Sequence, residues 1–303
     1  MFEGPTKDEI ETIALALLKQ SKARHILPTP VDQIISHADL HFDAKVDLST
    51  VNKTFLNTLS ERLSAKFRQA MEAVRGILDR RENTVYLDLS QSASRQNFVK
   101  LHEVGHHVLY WQGEILEHLE SDMTLDQNTV EEFEAEANYF ATCMLFQLDR
   151  FEHEAKKLEL GIKSPMYLAK IFGASVHATL RRYVESSKSR CALIVLADVS
   201  KKGAFLKCAK KDFFASAKFT SSFGEINLPT EFGFKWQFAQ DYYFGKKYHE
   251  RGEVVLMTED GPTDFKYHFF NNTYNAFVFL FPTGETKAAR TKIKVVTSTK
   301  GFI

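Results

Sequence analysis

The chain is poor in the residues that would staple it together or hold it in a membrane. Its three cysteines, Cys143, Cys191 and Cys208, are too few and too scattered for a disulfide framework or a cysteine-based zinc site, so a reducing cytoplasm is the expected location. No apolar run resembles a transmembrane span. Residues 1–13 mix acids with apolar side chains instead of placing an apolar block after a basic start, which argues against a secretory signal and against a membrane partner. Net charge is missing as well: 39 basic residues balance 39 acidic ones. The balance conceals an asymmetry, because from Cys191 onward 16 Lys and Arg face 11 Asp and Glu, about +5, against about −5 before it. That tilt hints at an anionic ligand for the C-terminal part.

What is present, 303 residues of which 44% are hydrophobic, suits an ordinary folded protein of about two domains. The stretch from Leu101 to Trp111 contains His102-Glu103-Val-Gly-His106. On a helix the two histidines project from one face and can share a metal ion, with Glu103 available to act on water. Phe98, Leu101, Val104, Val108 and Leu109 supply the apolar flank of a buried helix, and Ser92 or Ser94 with Gln96 supplies its start.

Upstream, apolar spacing predicts a helix over Lys7 to Gln20, a break at Pro28-Thr-Pro30, a short helix from Val31 and an extended segment near Leu40 to Phe42. Leu56 to Arg68 is heavily polar, as an insertion or surface helix would be. Residues 74–78 and 84–89 read as a hairpin turning through 79–83, and a sheet edge beside the metal helix would suit an extended peptide. Downstream come a polar loop from Gly113 to Thr129 and a helix from Val130 to Leu145. On that helix Glu134, Asn138, Ala141 and Leu145 form one stripe, which aims Glu134 inward, while Glu131, Glu132 and Glu136 are expected toward solvent. Two His and a later Glu make the three-ligand set of a catalytic zinc site, with manganese or iron as alternatives of the same ligand type, and Asn138 stands where it could orient a ligand His.

His102-Glu-Val-Gly-His106 followed by Glu134-Ala-Glu-Ala-Asn138-Tyr-Phe140-Ala141 resembles the ImmA/IrrE family of metallopeptidases; Pro30-Val31-Asp32 and Arg95-Gln96-x-Phe98 look like its upstream landmarks. The resemblance covers about residues 8–185. It implies a zincin-like core, metal ligands at His102, His106 and Glu134, and Glu103 as the catalytic acid/base. It also implies a helix-turn-helix repressor as the cleaved partner, in stress responses or phage defence.

Ser164 to Val184 has the look of a helix-turn-helix, with Arg181 and Arg182 available for phosphates; in the family a similar segment closes the protease core. After the polar stretch 185–190 the texture turns to strands at 191–197, 252–257, 274–281 and 292–296. This part holds 22 of the 38 aromatic residues. Rings alternate with Lys235, Trp236, Lys246 and Lys247, which suits stacking with single-stranded DNA, a nucleotide or a small-molecule activator; the plainer reading is that the rings fill a core. The expected organisation is α+β: a zincin-like, mainly helical metallopeptidase core with a short sheet (1–160), a helix-turn-helix-like segment (161–187) and an α/β, GAF-like C-terminal sensor domain (188–303). The expected function is zinc-dependent proteolysis of a repressor. The rival is a DNA-binding regulator in which the metal is structural.

Overall fold

A computed structural model describes residues 6–50, 76–80, 82–118, 127–202 and 205–285. The chain divides into two compact units, residues 1–157 with 165–183, and residues 158–164 with 184–303.

In the first unit, α1 (Lys7–Gln20) starts from a capping box in which the Thr6 hydroxyl accepts from the Glu9 amide and the Glu9 carboxylate accepts from the Thr6 amide. Its Ile10, Ala14, Leu17 and Leu18 are buried at helical spacing. After α2 (Val31–His37), strands β1 (His41–Asp47), β2 (Gly76–Asp79) and β3 (Thr84–Leu87) form a sheet of order β1-β3-β2. β2 and β3 are the expected hairpin, β1 joins β3 in parallel, and β2 is an edge among the described residues. The polar stretch 56–68 lies outside the described residues.

Then come α3 (Ala93–Val108), α4 (Tyr110–His118), α5 (Gln127–Phe146), α6 (Asp149–Ala155), α7 (Lys163–Phe172) and α8 (Val176–Glu185). The landmark Asp32 accepts a 2.7 Å bond from buried Lys100, which ties α2 to α3. The landmark Gln96 donates to the Leu89 and Gln91 carbonyls and holds the turn that leads into α3. α7 and α8 meet at Gly173, whose φ of +68° is open to glycine, and Ser175 caps α8 by accepting from the Ala178 amide. Phe172 packs against Phe146 and Phe151, so the helix pair contributes to the first unit's core.

The helix boundaries depart from expectation at the centre of the site. The metal-motif helix does not run to Trp111: it stops at Val108, Leu109 leaves helical geometry (φ −77°, ψ 83°), and α4 occupies the start of the expected loop. The break leaves carbonyls needing partners, and Arg80, from the hairpin turn, donates to the His106 carbonyl at 2.6 Å.

The second unit is one sheet of order β6-β5-β4-β9-β8-β7, made of β4 (Ala192–Lys202), β5 (Phe205–Ala215), β6 (Glu231–Gly233), β7 (Tyr248–Thr258), β8 (Gly261–Asn271) and β9 (Ala276–Pro282). Every pairing in it is antiparallel, so it is not the α/β arrangement expected from sequence. Two short helices, α9 (Ala217–Phe223) and α10 (Gln237–Tyr243), complete it. The expected strand at 292–296 lies outside the described residues.

Candidate metal centre

The site is made where α3 and α5 pack closely. Gly105 permits this: a Cβ there would stand 3.1 Å from Phe140 Cδ1 and 3.3 Å from the Ala137 backbone. With Ala137 and Ala141 also fully buried, the facing surfaces are small enough for Glu134 to reach the two histidines.

His102 Nε2 lies 3.0 Å from His106 Nε2, and the Glu134 carboxylate oxygens lie 3.3 and 3.4 Å from them. These are the only three such residues among those described that could jointly hold a metal ion. Bonds of about 2.0–2.1 Å to a tetrahedral ion put neighbouring donors about 3.3 Å apart, so a triangle of this size fits three corners of a zinc site. Its electrostatics ask for positive charge. Burial works against ionised Glu134, but the two imidazoles outweigh it and hold the carboxyl down at about 2. Burial likewise opposes a charge on His106, and Glu134 with Glu103 outweighs it, so His106 rises above the usual histidine range.

Glu103 is 5% exposed, and burial pushes its carboxyl up, opposed in part by the two histidines. It fits under the first residue of β2. A Cβ at Gly76 would come within 2.3 Å of Val99 Cγ1 and 2.7 Å of Glu103 Oε1, so the start of β2 lies directly over the carboxylate because residue 76 has no side chain.

The surroundings correct two expectations. Asn138 does not orient a ligand: His106 Nδ1 is taken by Gln112 Oε1 at 2.7 Å, and His102 Nδ1 has no hydrogen-bond partner among the described residues. Glu136 is not simply a solvent-facing acid; it accepts from Trp111 Nε1 at 2.8 Å and Gln112 Nε2 at 2.7 Å. Helical spacing hid both relations, since they depend on the break at Leu109.

Of the four residues expected to contact a ligand in the C-terminal part, Lys235, Lys246 and Lys247 are exposed and Trp236 is partly buried. Trp236 is partly buried against the core and tilted over Phe238, with the Lys235 ammonium 5.7 Å from its ring. Lys246 turns to Asp241 at 3.2 Å, and Lys247 is exposed. Most of the neighbouring rings, Phe232, Phe238 and Tyr242 among them, are buried core. The rings that do reach solvent are Phe234 and Phe244, which with the partly buried Tyr243 form a mutually packed trio with centroids 5.1–6.0 Å apart.

No curated protein matches the chain. Among solved structures, a Mycobacterium tuberculosis transcriptional regulator is similar, with 12% identity and a TM-score of 0.49 over 90% of this chain and 75% of that one, a likeness too distant to carry function. A family model, Peptidase M78 (IrrE N-terminal-like domain), matches residues 56–183, the span that contains the helices of the centre.

Proposed function

We propose that the chain is a zinc-dependent endopeptidase that cuts a partner helix-turn-helix repressor in a cytoplasmic stress or phage-defence response, under control of a signal bound by the second unit. The observation that carries this reading is the His102, His106 and Glu134 triangle with buried Glu103 beside it. Zinc suits that donor set, and manganese or iron uses the same ligand types. When bound, the metal supplies Lewis acidity toward water and the scissile carbonyl. The chain's own residues do the rest. His102, His106 and Glu134 hold the ion on two helices locked together at Gly105. Glu103 takes the proton of the attacking water and returns it to the leaving amine, a task suited to a carboxyl whose proton affinity burial has increased. The edge of β2 offers backbone groups to an extended peptide, and Gly76 keeps that edge close to Glu103.

The second unit is read as a GAF-like sensor domain. A cavity of about 520 Å3 whose lining mixes Lys246, His249 and Arg251 with Asp241, Glu250 and Glu253 favours a small polar signal, and the Phe234, Tyr243 and Phe244 trio favours single-stranded DNA. The rival reading, a DNA-binding regulator with a structural metal, is less well supported. Phe172 and Leu180 of the helix pair are fully buried, and Arg181 and Arg182 already have interactions within the protein.

The test is cleavage of a co-encoded helix-turn-helix repressor with and without chelator. Glu103→Gln is expected to slow cutting by about 10²- to 10⁴-fold, the usual worth of general acid–base catalysis, at unchanged metal content. Undiminished cutting by that variant would overturn the assignment.

A further inference from the structure

The two histidines of the centre are not held alike. His102 is 1% exposed, yet its Nδ1 has no partner among the described residues. The Nδ1 of His106 meets Oε1 of Gln112, a residue with 0% exposure whose amide nitrogen faces Glu136 Oε2 at 2.7 Å and the Phe133 carbonyl at 3.3 Å. Glu136 Oε2 is in turn fixed by Trp111 Nε1 at 2.8 Å.

This network determines which way the amide points. Reversing Gln112 would set its oxygen against a carboxylate and a carbonyl, so the nitrogen must face them and the oxygen must face His106. An amide oxygen only accepts. His106 therefore carries a proton on Nδ1, which in the neutral ring leaves the Nε2 lone pair directed at His102 and Glu134.

The helix break makes the contact possible. Residue 112 follows residue 106 by six positions, and on an unbroken helix that is about 240° of rotation, away from the ligand face. Leaving the helix at Leu109 and restarting at Tyr110 brings Gln112 back onto His106. The Arg80 bond to the His106 carbonyl satisfies a group that the break exposes.

We infer that Gln112, fixed by Glu136, is a positioning residue that locks the tautomer and orientation of His106 for metal binding. This inference rests on the metal-centre reading above. It also makes His106 the preset ligand and His102 the one whose ring the protein leaves less constrained.

The test measures zinc affinity by competition with a chromophoric chelator, and the ligand-field spectrum of the cobalt-loaded protein, on the full chain. Gln112→Leu should bind zinc about 10- to 100-fold more weakly, the usual effect of losing a partner that orients a ligand His. It should also alter the cobalt spectrum. The exchange Gln112→Glu with Glu136→Gln keeps an acceptor on His106 and a donor–acceptor pair between 112 and 136 and gives up only the 3.3 Å bond to the Phe133 carbonyl, so it should recover most of the affinity lost in Gln112→Leu. Wild-type affinity in Gln112→Leu would overturn the proposal. Weak binding in both variants would assign residue 112 a packing role, and would overturn it too. A wild-type chain that takes up no metal would instead remove the metal centre itself, together with everything built on it.

Discussion

Each unit contains a carboxylate gathered among polar side chains, and the two differ in where the protons are. Asp241 in the second unit is 4% exposed and accepts from His249 Nε2 at 2.6 Å, Tyr267 OH at 3.0 Å, Lys246 Nζ at 3.2 Å and Gln237 Nε2 at 3.3 Å. Every contact on it brings a hydrogen, so the cluster is complete as it stands. In the first unit, with one proton of His106 held on Nδ1, its Nε2 and the Glu134 carboxylate at 3.4 Å attract each other only through a further cation, a second proton on the ring or a metal ion. Burial and a carboxylate beside histidine are common to both clusters; only the proton count separates a candidate metal site from a cross-link between α10, β7 and β8.

The strongest way to break this comparison is to count metal. His102→Ala should drop zinc content from one per chain to below stoichiometric, because a two-donor remnant lacks the three protein ligands of such a site. Asp241→Ala should leave it at the wild-type level. Elemental measurement after gel filtration checks both, and equal loss in the two variants would erase the distinction.

Stability should respond in the opposite sense. Removing Asp241 strands the buried Tyr267 hydroxyl and the partly buried His249 ring, while exposed Lys246 and Gln237 can turn to water, at a cost of about 2–4 kcal/mol in the second unit. Glu134→Ala in chelator-treated protein should cost less, since its partners are two histidines that can give up the extra proton once the carboxylate is gone. Denaturant titration followed by fluorescence distinguishes the two, and a larger loss for Glu134→Ala would contradict the proton count.

The sequence carried some of this and concealed the rest for identifiable reasons. α1 was legible because its apolar spacing and its Thr6 to Glu9 cap agree. The β2–β3 hairpin was legible because β-branched and aromatic residues flank a charged turn. His102 and His106 were readable from their i, i+4 spacing on one helix, Glu103 from its place in the motif between them, and Glu134 from the small-residue stripe on another. Gln112 was not readable, because reaching His106 requires a break at Leu109 that neither proline nor glycine marks. β8 shows the opposite failure. Phe265, Tyr267 and Phe269 are buried at strict alternation, a plain strand signal, yet no strand was expected there. β5 was harder, since Lys207, Lys210 and Lys211 interrupt its alternation.

The finest test concerns how the Asp241 charge is held. Burial opposes it, and the bonds from His249, Lys246, Tyr267 and Gln237 outweigh burial, so its carboxyl sits below the ordinary aspartate value. A depressed folded-state value contributes stability that is fully present above the unfolded pKa, about 3.9, and is lost as pH falls through the folded value. The second unit should therefore lose stability below about pH 4. Tyr267→Phe deletes one donor and leaves His249, Lys246 and Gln237, so it should cost only about 1–2 kcal/mol at neutral pH. It should also bring the folded value closer to the unfolded one and make the acid-side loss shallower. An acid profile parallel to wild type would mean that the Tyr267 hydroxyl does not help hold the charge, and that the cluster is closed by its other three donors alone.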